Sequence, residues 1–407
     1  MSMRKSILGI LLLLTFGQFA SGQPSQQQLK QWLTRFPEAD ADGDGRLSVE
    51  EATAYAQRRQ QTRRKAGQGR SGAPREFPVD PGWQEDRFPE HAMCYRSADE
   101  IAAAYKQMLG GRSAITAYAK PQDGSLRIVG TGHSFMAPGY QTFPRIVQAA
   151  GFQQPPLLTH TGGGVTGSAR YKWEQENGIF QFDGKPTPKL LASIANADWD
   201  AMMWGPYFQD RPEYYACWID FCLRYHPAMK FYLSDAWPQL DQLEAIPTSP
   251  EELTADLFVR LGQEKFAINS ALVRTLNDRY PGKVFVMPTC EAMVLAVQAY
   301  HRGELPGVEG IHALIGKKER SLWRDRLGHL GPGLGQLEGY VFYATLYGRS
   351  PELIQEKINF GGPSDYPGPE LDRVFRKIAW NAVLNNPLSG VVARDGNGIG
   401  DDRDGPR

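Results

Sequence analysis

Two segments near the amino end carry apolar residues at helical spacing. In the first these are Leu29, Trp32, Leu33 and Phe36, and in the second Val49, Ala52, Tyr55 and Ala56. Residues three and four positions apart share one face of a helix. The pattern therefore predicts two amphipathic helices joined by a polar segment.

Farther along the chain, short apolar runs alternate with helix-like segments. The runs cover residues 126–130, 156–159, 201–204, 230–233 and 283–287, and the clearest helical patterns cover 250–280 and 335–346. Strands that alternate with helices predict a parallel sheet covered on both faces. Because ligands of such sheets bind beyond the carboxyl ends of the strands, the residues directly after these runs are the candidates for chemistry.

The first 22 residues have the pattern of a secretory signal peptide. Arg4 and Lys5 precede a mainly apolar stretch over residues 7–20, and small residues follow at Ala20-Ser21-Gly22. This predicts cleavage near Gly22 and Gln23 and export to a secreted or periplasmic location. A membrane anchor is the alternative, but the stretch is shorter than the roughly 20 residues of a bilayer span. No other stretch predicts a transmembrane segment.

The mature chain is predicted to have four parts. Residues 24–61 form a helix-loop-helix module, 62–87 a basic flexible linker, 88–392 a large globular domain and 393–407 an acidic, glycine-rich tail. The basic residues of the linker lie among Gln, Gly, Ser and Pro without apolar periodicity. A solvated tether is favoured there over a contact with an acidic polymer.

Composition narrows the function classes only a little. The chain has 407 residues, of which 41% are hydrophobic and 22% charged, close to a folded soluble protein and unlike a disordered chain, collagen or a coiled coil. Lys plus Arg and Asp plus Glu are 45 each, so no overall field attracts nucleic acid. Four cysteines are too few for a disulfide scaffold. Cys217 and Cys222 are poorly spaced to pair with each other, and a bridge involving Cys94 or Cys290 stays open.

The segment from Asp40 to Glu51 matches the pattern D-x-[DN]-x-[DN]-G-x5-E at every position. Oxygen ligands at this spacing surround one point, which suits a hard cation such as Ca²⁺. The alternative is an acidic turn that caps the second helix. The predicted ligands are Asp40, Asp42, Asp44, Arg46 through its carbonyl, Ser48 through water, and Glu51 with both carboxylate oxygens.

This segment resembles an EF-hand. Members of that family usually occur in pairs, and no second complete loop is present in the sequence. For a single exported hand the resemblance implies a structural calcium site rather than a sensor. The segment 395–404 in the tail is similar to a fragment of a thrombospondin type-3 calcium repeat. A disordered tail is the favoured interpretation, and a weak calcium site is the alternative.

Two distant segments have residue types suited to nucleophilic catalysis. The first apolar run leads into Gly132-His133-Ser134-Phe135, and Asp325 and His329 share one loop before the predicted helix 335–346. A nucleophilic serine needs a base, and the base needs an orienting carboxylate. Alone, the first segment is often only a turn and the second only a surface contact. Together they predict that Ser134, His329 and Asp325 meet at the carboxyl edge of the sheet.

These segments resemble the SGNH (GDSL-type) hydrolase family. Ser134 stands where the first block has its nucleophile, Gly162-Gly163-Gly164 is similar to the second block, and Asp325 with His329 resembles the last. The resemblance implies an α/β fold, a flavodoxin-like three-layer α/β/α sandwich with a parallel sheet. It also implies ester hydrolysis through an acyl-enzyme, with the Gly163 amide holding the oxyanion.

The sequence departs from the family pattern in two places. The third block, G-x-N-D, is replaced by Gly205-Pro206-Tyr207-Phe208, so Tyr207 becomes the candidate second oxyanion donor. The last block usually has two residues between Asp and His, whereas Asp325 and His329 are separated by three. The longer spacing leaves a plain Ser–His dyad as an alternative.

Other candidate chemistry is weaker. No H-x-H or H-E-x-x-H cluster supports metal catalysis, so no catalytic cofactor is expected. His133 lines a pocket or forms a turn, while His160 and His312 are more typical of structural histidines. The aromatics after the strands suit either a sugar cleft or the core, and the core is favoured. They are Trp173, Trp204, Tyr207 and Trp237.

These features favour a secreted serine esterase with a calcium-binding module. The expected substrate is a small-molecule or polysaccharide ester, with a carbohydrate ester as the leading candidate, and no nucleic acid partner is expected. The alternative from a different class is a non-catalytic, calcium-binding extracellular scaffold that retains the fold. The missing third-block Asn motivates that alternative.

Overall fold

The structure is a computed structural model, and its two parts are described separately. The chain divides into two units, Met1–Glu76 and Phe77–Arg407. The predicted signal peptide and linker lie outside the described residues. The described residues are 29, 33, 39–42, 44–52, 54, 55, 103, 117–160, 171, 180–182, 185–187, 190–205, 212–360 and 366–401.

Within the described part of the second unit, strands and helices alternate. The strands are β1 (Ile128–Thr131), β2 (Leu158–His160), β3 (Phe180–Phe182), β4 (Lys185–Thr187), β5 (Ala201–Trp204), β6 (Lys230–Ser234), β7 (Val284–Met287), β8 (Gly310–His312) and β9 (Ser321–Trp323). The helices are α1 (Ala137–Ala149), α2 (Leu190–Asn196), α3 (Pro212–Tyr225), α4 (Ala255–Arg279), α5 (Thr289–His301), α6 (Ala313–Gly316), α7 (Leu334–Tyr347) and α8 (Pro369–Asn385).

Five strands form one sheet in the order β2-β1-β5-β6-β7, and all of its neighbours are parallel. One row of paired residues crosses the four neighbouring strands β1, β5, β6 and β7. It runs from Val129 through Met202 and Phe231 to Val284. These side chains are buried, as are most residues of the four strands. Strands buried on both faces need continuous apolar runs rather than alternation, which explains why the runs were readable in the sequence.

Separate hydrophobic cores lie on the two faces of the sheet. Successive side chains of a strand point to opposite faces, so Ile128 and Met203 belong to the core under helices α1, α5, α7 and α8. Val129 and Met202 belong to the core under α2, α3 and the second half of α4. The second unit is therefore an α/β fold with helices on both faces of a parallel sheet, a three-layer arrangement, as predicted.

The sequence located the five central strands but not the smaller sheets. The antiparallel pair β3–β4 and the parallel pair β8–β9 were not predicted. Helix α7 coincides with the predicted 335–346, whereas the predicted segment 250–280 is a 3₁₀ turn, Pro250–Glu252, followed by α4. Ser249 and Glu252 form a capping box at that turn. The predicted helical segment therefore includes this separate 3₁₀ turn in addition to α4.

The described part of the tail differs from the disordered segment that its composition favours. The Ser350 N–H donates to the Gly398 carbonyl (2.7 Å), and the Gly400 N–H donates to the Gly348 carbonyl (2.7 Å). Residues 398–400 thus pair with residues 348–350, directly after α7. Residues 402–407 lie outside the described residues.

The remaining features of the described residues concern membranes and cysteines. None of the described helices combines the length and the apolar composition needed to span a bilayer. Cys217, Cys222 and Cys290 are buried, and Cys94 lies outside the described residues. Cys217 and Cys222 both lie on helix α3, as their spacing predicted.

Candidate active site

The carboxyl ends of β1, β2 and β5 lie side by side at one edge of the sheet. The Gly132 N–H donates to the His160 carbonyl (3.0 Å), and the Gly205 N–H donates to the Thr131 carbonyl (3.0 Å). A Cβ atom on Gly132 would lie 2.7 Å from Met136 Cγ and 3.2 Å from the Gly205 nitrogen. Only glycine allows this approach, and it brings the chain to the exposed Ser134 two residues later.

Helix α1 begins directly after the Ser134 turn and is anchored by α7. The Met136 N–H donates to the His133 carbonyl (3.0 Å), and the Gly139 N–H, in the first turn of α1, donates to Glu338 Oε2 (2.7 Å). Burial raises the pKa of Glu338 well above its ordinary value, against the opposing effect of the Gly139 hydrogen bond. The first turn of a helix leaves its N–H groups without helical partners, so Glu338 fixes the helix that follows the candidate nucleophile.

Asp325 and His329 lie on one closed loop after β9. The Arg324 N–H donates to the His329 carbonyl (2.9 Å) at the base of the loop. Asp325 Oδ1 accepts the backbone N–H groups of Leu327 (3.1 Å) and His329 (3.2 Å). The carboxylate thus organises its own loop, which accommodates the extra residue between Asp325 and His329.

The structure brings Ser134, His329 and Asp325 together in one hydrogen-bonded chain. Ser134 Oγ lies 2.7 Å from His329 Nε2. His329 Nδ1 lies 3.0 Å and 2.9 Å from the two carboxylate oxygens of Asp325. Partial burial favours the neutral acid, but the hydrogen bonds with His329 outweigh it and hold the pKa of Asp325 below its ordinary value.

The ionisation of Asp325 sets the tautomer of His329. An ionised carboxylate only accepts hydrogen bonds, so His329 Nδ1 carries the proton that faces it. In the neutral imidazole with this tautomer, the lone pair of Nε2 faces the Ser134 hydroxyl. This is the arrangement in which an imidazole can remove a proton from serine.

Aromatic side chains hold the histidine from the side. The Phe135 ring stacks on Trp237 with 4.9 Å between centroids and meets the His329 ring edge-on at 5.1 Å. Trp237 Nε1 donates to the Gly328 carbonyl (2.7 Å), next to His329. Trp237 is 1% exposed, so it is a core residue, as favoured from the sequence. Its role in positioning the loop was missed, although its place directly after β6 was a usable signal.

The predicted oxyanion residues Gly163 and Tyr207 lie outside the described residues. Gly205, the first residue of the altered third block, is described, and its N–H is already used by the Thr131 carbonyl. Gly205 is therefore not a donor for a bound oxyanion in this arrangement.

The other histidines have different surroundings. His312 is buried, and its Nδ1 accepts the Leu314 N–H (3.3 Å) at the start of α6. Burial lowers the pKa of His312 against the opposing charge of Asp325. These contacts fit the predicted structural role. The His133 ring meets the Phe135 ring at 4.9 Å between centroids, beside Ser134.

The predicted calcium loop in the first unit gathers its carboxylates. One oxygen from each of Asp40, Asp42 and Asp44 lies within 4.8 Å of the others. Gly45 has a positive φ of 77°, which favours glycine, and its N–H donates to Asp40 Oδ2 (2.9 Å). The predicted ligand Arg46 follows, and its N–H donates to Asp44 Oδ1 (2.7 Å).

Glu51 closes the same loop from the following helix. Its Oε1 accepts the Ala41 N–H (2.9 Å), and its Oε2 accepts the Ser48 N–H (2.9 Å) and hydroxyl (2.8 Å). The hydrogen bonds from Ser48, followed by that from Ala41, lower the pKa of Glu51 to about 2. The ionised carboxylate therefore spans both ends of the loop. Residues Leu29, Ala39, Leu47 and Ala52 form the small core beneath it.

Comparisons with known proteins add little beyond this geometry. No family model matches the chain, and no curated protein matches it. A solved structure of a DUF4886 family protein from Bacteroides uniformis is similar over 64% of this chain and 95% of its own, with 13% identity and a TM-score of 0.43. That likeness is too distant to carry an argument about fold details or function.

Proposed function

We propose that the protein is a serine ester hydrolase that works through an acyl-enzyme. The observation that carries the proposal is the chain from Ser134 Oγ to His329 Nε2 (2.7 Å) and from His329 Nδ1 to Asp325 (2.9 Å). Ser134 is exposed, whereas the His329 side chain is mostly buried, at 15% exposure. A nucleophile that solvent reaches, with a shielded and oriented base, is the arrangement that acyl transfer needs.

In the proposed reaction Ser134 Oγ attacks the ester carbonyl carbon as its proton moves to His329 Nε2. The carbon–oxygen bond to the alcohol then breaks, and His329 returns the proton to the departing oxygen. Water attacks the acyl-serine as one of its protons moves to His329 Nε2. The carbon–oxygen bond to Ser134 then breaks, His329 returns that proton to Ser134 Oγ, and the acid leaves. Asp325 keeps the Nδ1 proton in place and stabilises the charged imidazole throughout.

The oxyanion that forms in each step needs donors of its own. The backbone amides of Ser134 and Gly163 and the Tyr207 hydroxyl are the proposed donors. Since removing one such donor typically slows turnover by about 10²–10³, replacement of the usual Asn by another residue predicts a slow enzyme or a donor at Tyr207. The proposed substrates are small-molecule or polysaccharide esters met after export.

Hydrolysis of p-nitrophenyl acetate by the purified chain tests the proposal. We expect Ser134→Ala to lower kcat by at least about 10³, because the nucleophile is lost. Thr275→Ala, which removes a hydroxyl bonded to the Ala271 carbonyl on α4, serves as the control and should leave the rate unchanged. Equal rates in the parent and Ser134→Ala would refute the esterase and favour the non-catalytic scaffold.

We also propose that the first unit binds calcium through the loop from Asp40 to Glu51. The convergence of Asp40, Asp42 and Asp44 within 4.8 Å supports this, since Ca²⁺ takes six to eight oxygens at short range. Arg46 would add its carbonyl, Ser48 a bridging water and Glu51 both carboxylate oxygens. The ion would serve as a structural element of this unit.

Calorimetric titration with Ca²⁺ tests the second proposal. Replacing Asp40 and Glu51 together by Ala should abolish binding, because the first and last ligands are lost. Glu50→Ala removes the exposed carboxylate next to Glu51 and should leave binding intact. Retained affinity in the double variant would show that the calcium site lies elsewhere.

A further inference from the structure

Ser134 and His329 are attached to two helices that pack against each other. Ser134 lies shortly before α1, which begins at Ala137, and His329 lies shortly before α7, which begins at Leu334. Helices α1 and α7 are in contact and share one core on the same face of the sheet. A slide of one helix along the other would therefore move the candidate nucleophile relative to the candidate base.

Glycines allow the two helices to approach closely. A Cβ atom on Gly139 of α1 would overlap the Phe342 ring of α7, and one on Gly335 of α7 would lie 2.8 Å from Pro138 Cβ of α1. Close packing sets the distance between the helices. Their position along each other depends in addition on directional contacts, and hydrogen bonds are of that kind.

Hydrogen bonds between described residues cross from α1 to α7. The Gly139 N–H donates to Glu338 Oε2 (2.7 Å). The Thr142 hydroxyl lies 2.6 Å from the Gly335 carbonyl across the contact, but it also lies 2.9 Å from the Pro138 carbonyl within its own helix. A hydroxyl has one proton to donate, so Thr142 divides it between the two helices. The bond to Glu338 lies wholly between them.

The start of α1 connects Gly139 to the serine turn. The Tyr140 N–H donates to the Met136 carbonyl (3.0 Å), and the Met136 N–H donates to the His133 carbonyl (3.0 Å). His133 immediately precedes Ser134. A displacement of Gly139 relative to α7 would therefore reach the turn that carries the candidate nucleophile.

Glu338 is a costly choice for a contact that served packing alone. The side chain is buried, with 3% exposure, and burial raises its pKa well above the ordinary value, which favours the neutral acid. Its Oε1 has no hydrogen-bond partner among the described residues. An apolar side chain of similar size would avoid this cost. Buried polar groups of this kind are typical of functional positions.

We propose that Glu338 is a positioning residue of the esterase, which holds α1 and α7 at the register that places Ser134 Oγ 2.7 Å from His329 Nε2. This inference rests on the proposed function. Glu338 touches neither the substrate nor the reacting atoms, and it acts through the Gly139 N–H. Its loss should therefore change the rate of the chemical step more than the binding of substrate.

The first test is Glu338→Met, which keeps the length of the side chain and removes the acceptor. We expect kcat for p-nitrophenyl acetate to fall at least about tenfold with KM little changed, because small misplacements of reacting groups are costly in rate. Glu338→Leu, a second variant without an acceptor, carries the same expectation. Thermal melts check that each variant is folded.

The second test is rescue by Glu338→Gln. The Gln side chain retains an acceptor for the Gly139 N–H and has the shape of the neutral acid. We expect its kcat to lie within about threefold of the parent. A packing role alone predicts the reverse order, because Met buries no polar group and Gln does.

Val383→Ala is the control for general destabilisation. Val383 lies on α8, is fully buried and belongs to the same core as α1 and α7. The cavity left by its truncation should lower the melting temperature. We expect kcat to stay at the value of the parent, since the register of α1 against α7 is unchanged.

The possible failures are distinguishable. Equal hydrolysis by the parent and Ser134→Ala would refute the esterase and, with it, this inference. Three results obtained with an active, Ser134-dependent parent would overturn this inference alone. These are a parent-like kcat in a folded Glu338→Met or Glu338→Leu variant, equal losses in Glu338→Met and Glu338→Gln, and a loss in Val383→Ala as large as that in Glu338→Met.

Discussion

Asp325 and Asp235 both follow strands of the second unit, yet their surroundings shift their pKa values in opposite directions. Burial opposes ionisation of Asp325, but hydrogen bonds with His329 outweigh it and lower its pKa. Burial of Asp235 dominates over its bonds with Cys290 and Thr289 and, with some help from the charge of Glu291, raises its pKa to about 7. The same side chain is thus an anion in one loop and a titrating acid in the other.

The difference lies in how each carboxylate is satisfied. Asp325 accepts hydrogen bonds at both oxygens within a partly exposed loop. Asp235 uses one oxygen, and the other, in a buried position, has no partner among the described residues. Hydrogen bonds to a charged group stabilise the charge, and desolvation penalises it. A satisfied carboxylate can therefore stay ionised and orient a neighbour, whereas a buried, unsatisfied one keeps its proton to higher pH.

Among the substitutions that test this difference, Asp325→Asn is expected to have the largest effect, which is a loss of catalytic activity. An Asn side chain can donate to His329 Nδ1, which favours the tautomer with the proton on Nε2, where it cannot accept the proton of Ser134. We expect kcat for p-nitrophenyl acetate to fall by about 10³–10⁴ with KM little changed. A loss below tenfold would instead favour the Ser–His dyad without a carboxylate.

The next largest effect is expected for Asp235→Asn, on the free energy of unfolding. The folded state holds the proton of Asp235 more tightly than the unfolded chain, whose pKa is near 3.8. The protonated Asp235 therefore contributes to the free energy of unfolding in full below about pH 4. This contribution, ~4 kcal/mol at most, is lost as the pH rises to about 7. The variant should gain stability relative to the parent between pH 4.5 and pH 8, measured by urea unfolding at both pH values.

Asp325→Asn is the matched control for that measurement. Because the folded pKa of Asp325 is lowered, its ionised form contributes stability above the unfolded pKa, and this contribution disappears as the pH falls. The variant should therefore lose stability relative to the parent at pH 8 more than at low pH. If the free energy of unfolding, relative to the parent, changed with pH in the same direction in both variants, the opposite pKa shifts would be contradicted.

A smaller effect is expected at Trp237, which supports the loop of Asp325 and His329. Trp237→Phe removes the donor to the Gly328 carbonyl and leaves a buried acceptor unsatisfied, which costs about 1–3 kcal/mol. We expect kcat to fall about tenfold because His329 is less well positioned. Kinetics with p-nitrophenyl acetate separate kcat from KM.

Trp199→Phe is the control for this position, since the Trp199 indole donates to the Ser193 carbonyl (3.0 Å) under the opposite face of the sheet. It should lower the melting temperature without lowering kcat. An equal loss of activity in both variants would mean that Trp237 acts only through general stability.

Much of the fold was predictable because its strongest signals are local. Continuous apolar runs predict strands buried on both faces, and helix α7 shows its spacing plainly. Strands β3, β4, β8 and β9 have three residues each, and none of the four is a continuous apolar run. The tail was misjudged because its pairing with residues 348–350 depends on backbone groups, which composition does not report.

By itself the sequence determined the kinds of groups at each place: a serine after a strand, an aspartate and a histidine on one loop, and carboxylates at the spacing of a calcium ligand set. The tertiary structure alone decided their partners. Ser134 and His329 meet across 195 positions of sequence, and one oxygen of Asp235 finds no partner in the part of the chain that the structure describes. Both outcomes depend on which distant segments pack together. The residue type supplies a carboxyl group, and its packed surroundings determine whether it is an anion that orients a base or a buried acid whose pKa is raised.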